Sequence, residues 1–162
     1  MNIFSGRLNV SDVSSVLSDV NKISEKTGSV IVLFDALKVA GPEHIESAVK
    51  HAKRSFESGK NIARTPAMEI LVYASGQRQC SAASKFGLHK GENFVYVLIL
   101  NGDEALAKSE VLKIIDESDA VSADPEVLKK EFNITDDEIS VVGIDRINEI
   151  VLERVALVDV WK

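Results

Sequence analysis

Residues 69–87 read EILVYASGQRQCSAASKFG, a compact apolar run that passes through Ser75-Gly76 into a stretch of small residues. Ile70, Leu71, Val72 and Tyr73 favour strands and tolerate burial on both faces of a sheet. Ser75-Gly76 supplies the punctuation. From Gln77 or Arg78 a helix is expected, with Ala82, Ala83 and Phe86 as its apolar stripe and Gly87 placed for a left-handed cap. The stretch thus predicts strand, turn and helix, with the rest of the chain as its support.

Upstream, residues 3–8 predict a short edge strand. Ser11 or Asp12 caps a helix carrying Val13, Val16, Leu17, Val20 and Ile23, which Gly28 ends. VIVLFD at 30–35 is a continuous apolar run of strand length, read as a central strand closed by Asp35. Gly41-Pro42 starts a helix to about Ser58, with Ile45, Ala48, Val49, Ala52 and Phe56 inward and Lys50, Lys53, Arg54 and Glu57 outward. Lys60 to Met68 is a polar loop.

Downstream, FVYVLIL at 94–100 is the strongest strand signal. Asn101-Gly102-Asp103 turns into a helix over 104–116. Asp124-Pro125 and the Thr135/Glu138 capping box start two short helices. A last helix from about Asp145 to Glu153 leads to VALVDV at 155–160, read as a closing strand, with an unbroken helix as the alternative. The expectation is one α/β domain over 1–162, a mixed sheet of about five strands covered by helices.

The chain has 162 residues, of which 45% are hydrophobic and 27% charged, enough apolar material for a substantial core. Neither a secretory signal nor a membrane-spanning run is expected from the sequence, and a cytoplasmic location follows. The single cysteine, Cys80, excludes an internal disulfide. A net charge of −6 conceals an asymmetry, since Asp35 to Lys90 holds nine basic residues against five acids and the remainder ten against twenty. That basic centre suits either a polyanion or a solvated helix face.

Catalytic motifs are absent from the sequence. A helix start after Ser75-Gly76 would offer free amides to an anion, with Arg78 beside them, yet there is neither a three-glycine dinucleotide fingerprint nor a P-loop. Ser75 is not in a nucleophile elbow, and Cys80 reads more readily as a packed apolar group than as a thiolate. His44, His51 and His89 lack metal-ligand spacing. Asp35 stands at a strand's carboxyl end, a place for a catalytic acid or for a loop-capping carboxylate. One function class left open is a small α/β enzyme that uses Asp35 and the Ser75-Gly76 turn on a phosphorylated metabolite.

Three stretches taken together reach beyond this. FDALKVAGPEHIESAVKHA at 34–52, EILVYASGQRQCSAASKFG at 69–87 and LERVALVDV at 152–160 resemble, in order and spacing, the kinase-associated small subunit family of the KEOPS complex, which includes the PRPK-binding protein. The resemblance runs from about residue 3 to 160. Cys80 departs from it, where many members carry a branched apolar residue.

The resemblance implies a non-catalytic regulatory subunit without cofactor, metal or small-molecule substrate. The KEOPS complex takes part in making threonylcarbamoyl-adenosine at tRNA position 37. Its small subunit binds the complex's small atypical kinase/ATPase and, in archaeal-type members, the 3′ CCA end of tRNA. The basic centre then becomes a candidate RNA face formed by Lys38, His44, Lys60, Arg64, Gly76, Arg78, Gln79 and Lys85. For the kinase, Ile144, Ile147, Ile150 and Val151 are the candidates, because a helix apolar over more than one stripe is buried on two sides, by its own protein and a partner, or else wholly internal.

Overall fold

The computed structural model describes Met1–Trp161. In chain order the elements are β1 (Asn2–Val10), α1 (Val13–Thr27), β2 (Val30–Asp35), α2 (Pro42–Glu57), α3 (Pro66–Ser75), α4 (Cys80–Ala83), β3 (Gly91–Leu100), α5 (Glu104–Val111), β4 (Asp116–Glu117), α6 (Pro125–Glu131), α7 (Asp136–Val142) and α8 (Ile147–Trp161). They divide into two compact units. One comprises Met1–Ala36 with Gly87–Val121, and the other comprises Leu37–Phe86 with the chain from Ser122 onward.

The first unit holds the sheet. Its order is β2-β3-β1-β4, and every pairing is antiparallel. The α/β class stands, while the sheet has four strands among the described residues rather than about five and is not mixed. β1 is interior rather than an edge, because the two-residue β4 pairs with Gly6 and Arg7. Gly6 is what lets β4 approach: a Cβ there would sit 2.5 Å from Ile115 Cγ2 and 2.7 Å from the Asp116 carbonyl oxygen. β2, read as central, stands at the end of the order although Ile31–Phe34 are buried.

Phe4, Leu8 and Val10 alternate inward from β1 and meet Ile31 and Leu33, Val95, Val97 and Ile99, and the helix residues Val20, Ile23, Ala107 and Val111. Burying each large aliphatic side chain contributes about 1.5–3 kcal/mol. Asp12 caps α1 by accepting the Ser14 amide at 3.1 Å, and Gly28 ends it in the left-handed conformation at φ 69°.

The second unit is helical. α3 is the main correction to the sequence reading, because Ile70–Tyr73 are helical rather than a strand. Thr65 accepts the Met68 amide at 3.3 Å, Pro66 occupies the first turn, and Gly76 closes the helix at φ 67°. Glu69 to Ser75 are all buried, so α3 is covered on every side by neighbours that include α2 and α8. A helix buried all round shows no stripe. Strand propensity in its interior amounts to less than about 1 kcal/mol per residue and yields to this burial.

VALVDV at 155–160 is likewise the end of the continuous helix α8, not a closing strand. Its Asp159 accepts a hydrogen bond from Tyr73 Oη and lies 2.7 Å from His51 Nδ1, fixing the last turn of α8 to α2 and α3. The His51 ring stacks on Tyr73 with centroids 5.6 Å apart. Both caps expected for α6 and α7 are present: Asp124 accepts the Glu126 amide, and Thr135 and Glu138 form the capping box.

Candidate functional site

α3 ends at Ser75, and the Gly76 amide turns back to the Tyr73 carbonyl at 3.1 Å. The turn singled out by the sequence is therefore a helix carboxyl end, where carbonyls rather than free amides are exposed. The helix start expected at Gln77 or Arg78 falls instead at Cys80, in the four-residue α4, so the turn at Gly76 itself offers no free amides. Ser75 Oγ donates to the Val72 carbonyl at 2.8 Å and accepts the Gln77 amide at 3.2 Å. Asp35 is buried at the end of β2. A phosphate-handling enzyme built on the Ser75-Gly76 turn thus has no amide cradle there.

Beneath this turn lies His44, which is 1% exposed and is not at a surface as expected. Its Nδ1 accepts the Ala40 amide at 3.0 Å, so the ring proton is on Nε2, which donates to the Ala74 carbonyl at 2.7 Å. One of the carbonyls that a helix end leaves without an intrahelical partner is satisfied in this way. The ring meets Phe132 and Phe86 edge-on at 5.4 and 5.9 Å. Burial lowers its pKa from 6.5 to about 4, against a smaller opposing effect of the Ala74 bond, so the imidazole is neutral near pH 7.

Above His44 the surface opens into a groove of about 500 Å³, lined among others by Gly76, Gln77, Arg78, Asn133, Arg154 and Trp161. A second groove of about 260 Å³ is lined by residues including Lys38, Lys85 and Phe86, and it shares Ser75, Gln77 and Glu131 with the first. Arg78 is exposed and donates from Nη1 to the Trp161 carbonyl at 2.8 Å. Lys38 Nζ donates to the Lys85 carbonyl at 2.9 Å and stands 3.8 Å from Glu131. Arg154 is committed to structure: Nη2 donates to both Glu138 oxygens at 2.7 and 2.8 Å, and Nε donates to the Phe132 carbonyl at 3.1 Å.

The expected RNA set is therefore split. Gly76, Arg78, Lys38 and Lys85 gather around the two grooves, with Gln79 exposed on the adjoining loop. Lys60 and Arg64 precede α3, and ten residues of helix separate its two ends by about 15 Å. Glu131, Asn133 and Trp161 were not anticipated as groove residues. Arg154 was visible only as part of LERVALVDV. Of the kinase candidates, Ile147, Ile150 and Val151 belong to the buried core and only Ile144, 46% exposed, reaches the surface. Val141, at 85% exposure, lies three residues before it.

Among the described residues no three His, Cys, Asp or Glu side chains come together as a metal-binding group, and no helix is long and apolar enough to cross a membrane.

Comparison with known proteins bears on this arrangement. A family model described as kinase binding protein CGI-121 matches residues 8–159. The chain belongs to the CGI-121 family. This is the family of KEOPS small regulatory subunits to which the three sequence stretches pointed. A curated relative, regulatory protein Cgi121 of Methanocaldococcus jannaschii, is 33% identical over 133 residues, covering 80% of this chain and 83% of its own length. Within the CGI-121 match fall the whole of α3 and all the groove residues except Trp161.

Proposed function

We infer that this protein is a non-catalytic, cytoplasmic subunit of a KEOPS-type assembly, which binds and regulates the assembly's small kinase/ATPase and recruits tRNA through its 3′ CCA end. The observation that carries this reading is the match to a kinase-binding family over residues 8–159. Support for the RNA part comes from the end of α3. Arg78, Lys38 and Lys85 supply positive charge, the exposed amides of Gln77 and Gln79 can read base edges, and Trp161, 43% exposed, offers a stacking face. For the kinase, the exposed pair Val141 and Ile144 replaces the buried Ile147, Ile150 and Val151 as the contact.

Purified protein is titrated with tRNA transcripts that carry or lack the CCA end, and in parallel with the kinase on a sizing column. The reading expects CCA-dependent binding that Arg78→Glu abolishes while the fold is kept, and co-elution with the kinase. CCA-independent or absent RNA binding defeats recruitment, and separate elution defeats the kinase role.

A further inference from the structure

Five cations, Lys50, Lys53, Arg54, Lys60 and Arg64, lie along the second half of α2 and the polar loop that leads to α3, and Glu57 is the one acid among residues 50–64. All five are exposed. None of them makes an ion pair among the described residues, although Glu57 stands one helical turn from Lys53. Elsewhere in the same unit Lys38, Lys129, Arg146 and Arg154 each have a carboxylate partner. In a chain of net charge −6, a cluster of uncompensated cations is a local inversion of the field.

The composition of the patch indicates what it can recognise. Between residues 50 and 64 no large hydrophobic side chain is exposed, Phe56 and Ile62 being half-buried, so the outward groups are charged rather than aromatic. The loop's Ile62 and Ala63 amides are taken up by the buried Glu69 carboxylate, which fixes the loop and leaves the cationic side chains as its outward groups. Such a surface binds charge and reads no sequence. The other end of α3 has the opposite character, with amides and a tryptophan around a groove.

We propose that the Lys50–Arg64 patch is a second RNA-binding site, which holds the sugar-phosphate backbone of the same tRNA whose unpaired end is taken at the Gly76 end of α3. This rests on the tRNA-recruiting reading and assigns separate tasks to the two ends of one helix: backbone affinity at its start and end recognition at its finish. Neutralising phosphates there releases counterions, so the patch contributes salt-sensitive affinity that is indifferent to the CCA sequence.

The test is the triple variant Lys53→Gln, Arg54→Gln, Arg64→Gln, with thermal melting confirming an unchanged fold. Its tRNA affinity is measured over a series of salt concentrations by fluorescence anisotropy. The slope of log K against log salt is expected to shrink by about 2–3 and affinity near 0.1 M salt to fall roughly tenfold or more. The preference for CCA-bearing over CCA-less tRNA is expected to persist. A wild-type protein that binds tRNA with CCA dependence while the triple variant keeps its slope and affinity overturns the patch alone. A wild-type protein that does not bind tRNA removes the recruitment reading and the patch with it.

Discussion

The Ala63 amide donates to Glu69 Oε2 at 2.6 Å, tying the loop between α2 and α3 to the first turn of α3. The same carboxylate is fully buried, accepts the Ile62 amide at 3.0 and 3.1 Å and takes a hydrogen bond from Ser55 Oγ at 3.0 Å. Glu69→Ala removes the acceptor from two backbone amides in one step, at an expected cost of about 3 kcal/mol. Urea denaturation reads the loss as a lower midpoint. Hydrogen exchange locates it, since the Ile62 and Ala63 amides should exchange faster in the variant; unchanged protection at both positions counts against this role.

His44 makes stability depend on pH. Its folded pKa of about 4 lies below its ordinary value of 6.5, so the unfolded chain takes up the proton first as the solution is acidified. The contribution is complete above pH 6.5 and declines toward pH 4, by about 3 kcal/mol over the window. His44→Gln should flatten this part of the curve, measured as urea midpoints at several pH values. An imidazole resonance for His44 titrating near 6.5 contradicts the account.

Arg154 joins α8 to the first turn of α7 through Glu138, and to the end of α6 through the Phe132 carbonyl. Glu138 is held below the usual 4.5, first by the Thr135 amide and then by Arg154. A lowered carboxylate pKa stabilises above the ordinary value, and that contribution is lost as the pH falls through the folded value. Arg154→Ala is expected to cost about 1–2 kcal/mol at neutral pH, and less in acid, where Glu138 is protonated. A loss that stays the same as the pH is lowered until Glu138 is protonated excludes the ion pair as the cause.

Val151 and Val141 differ in what a charge does to them. Val151 is fully buried in α8, and Val151→Asp places an unpaired carboxylate in the core, enough to prevent folding. Val141→Asp should change stability by less than about 0.5 kcal/mol. Circular dichroism and sizing chromatography separate the two. Loss of kinase co-elution in the folded Val141→Asp protein supports this face as the contact, and retained co-elution places the kinase elsewhere.

Local chemistry made much of this protein legible in its sequence. Asp12, Gly28, Pro42, Asp124 and the Thr135–Glu138 box mark helix ends because capping is settled within a few residues. The two apolar runs at 30–35 and 94–100 are strands, and three matched stretches pointed to the family. Strand order escaped the reading, because pairing depends on a two-residue β4 and on the absence of a side chain at Gly6, neither of which carries periodicity.

The stretch at 69–87 shows where sequence ceased to decide. The apolar run Ile70–Tyr73 determined that its first half would be buried, and Gly76 determined that the chain would turn there. Only tertiary structure decided that Ile70–Tyr73 wind into a helix, since cover from all sides removes the apolar stripe that tells helix from strand. That one outcome reversed the polarity of the turn, so that Gly76 closes a helix whose Ala74 carbonyl is satisfied by a buried His44, and the next helix starts only at Cys80. It also placed Arg78 and Arg64 at opposite ends of a single helix, a separation set by the rise per residue and invisible in the list of charges.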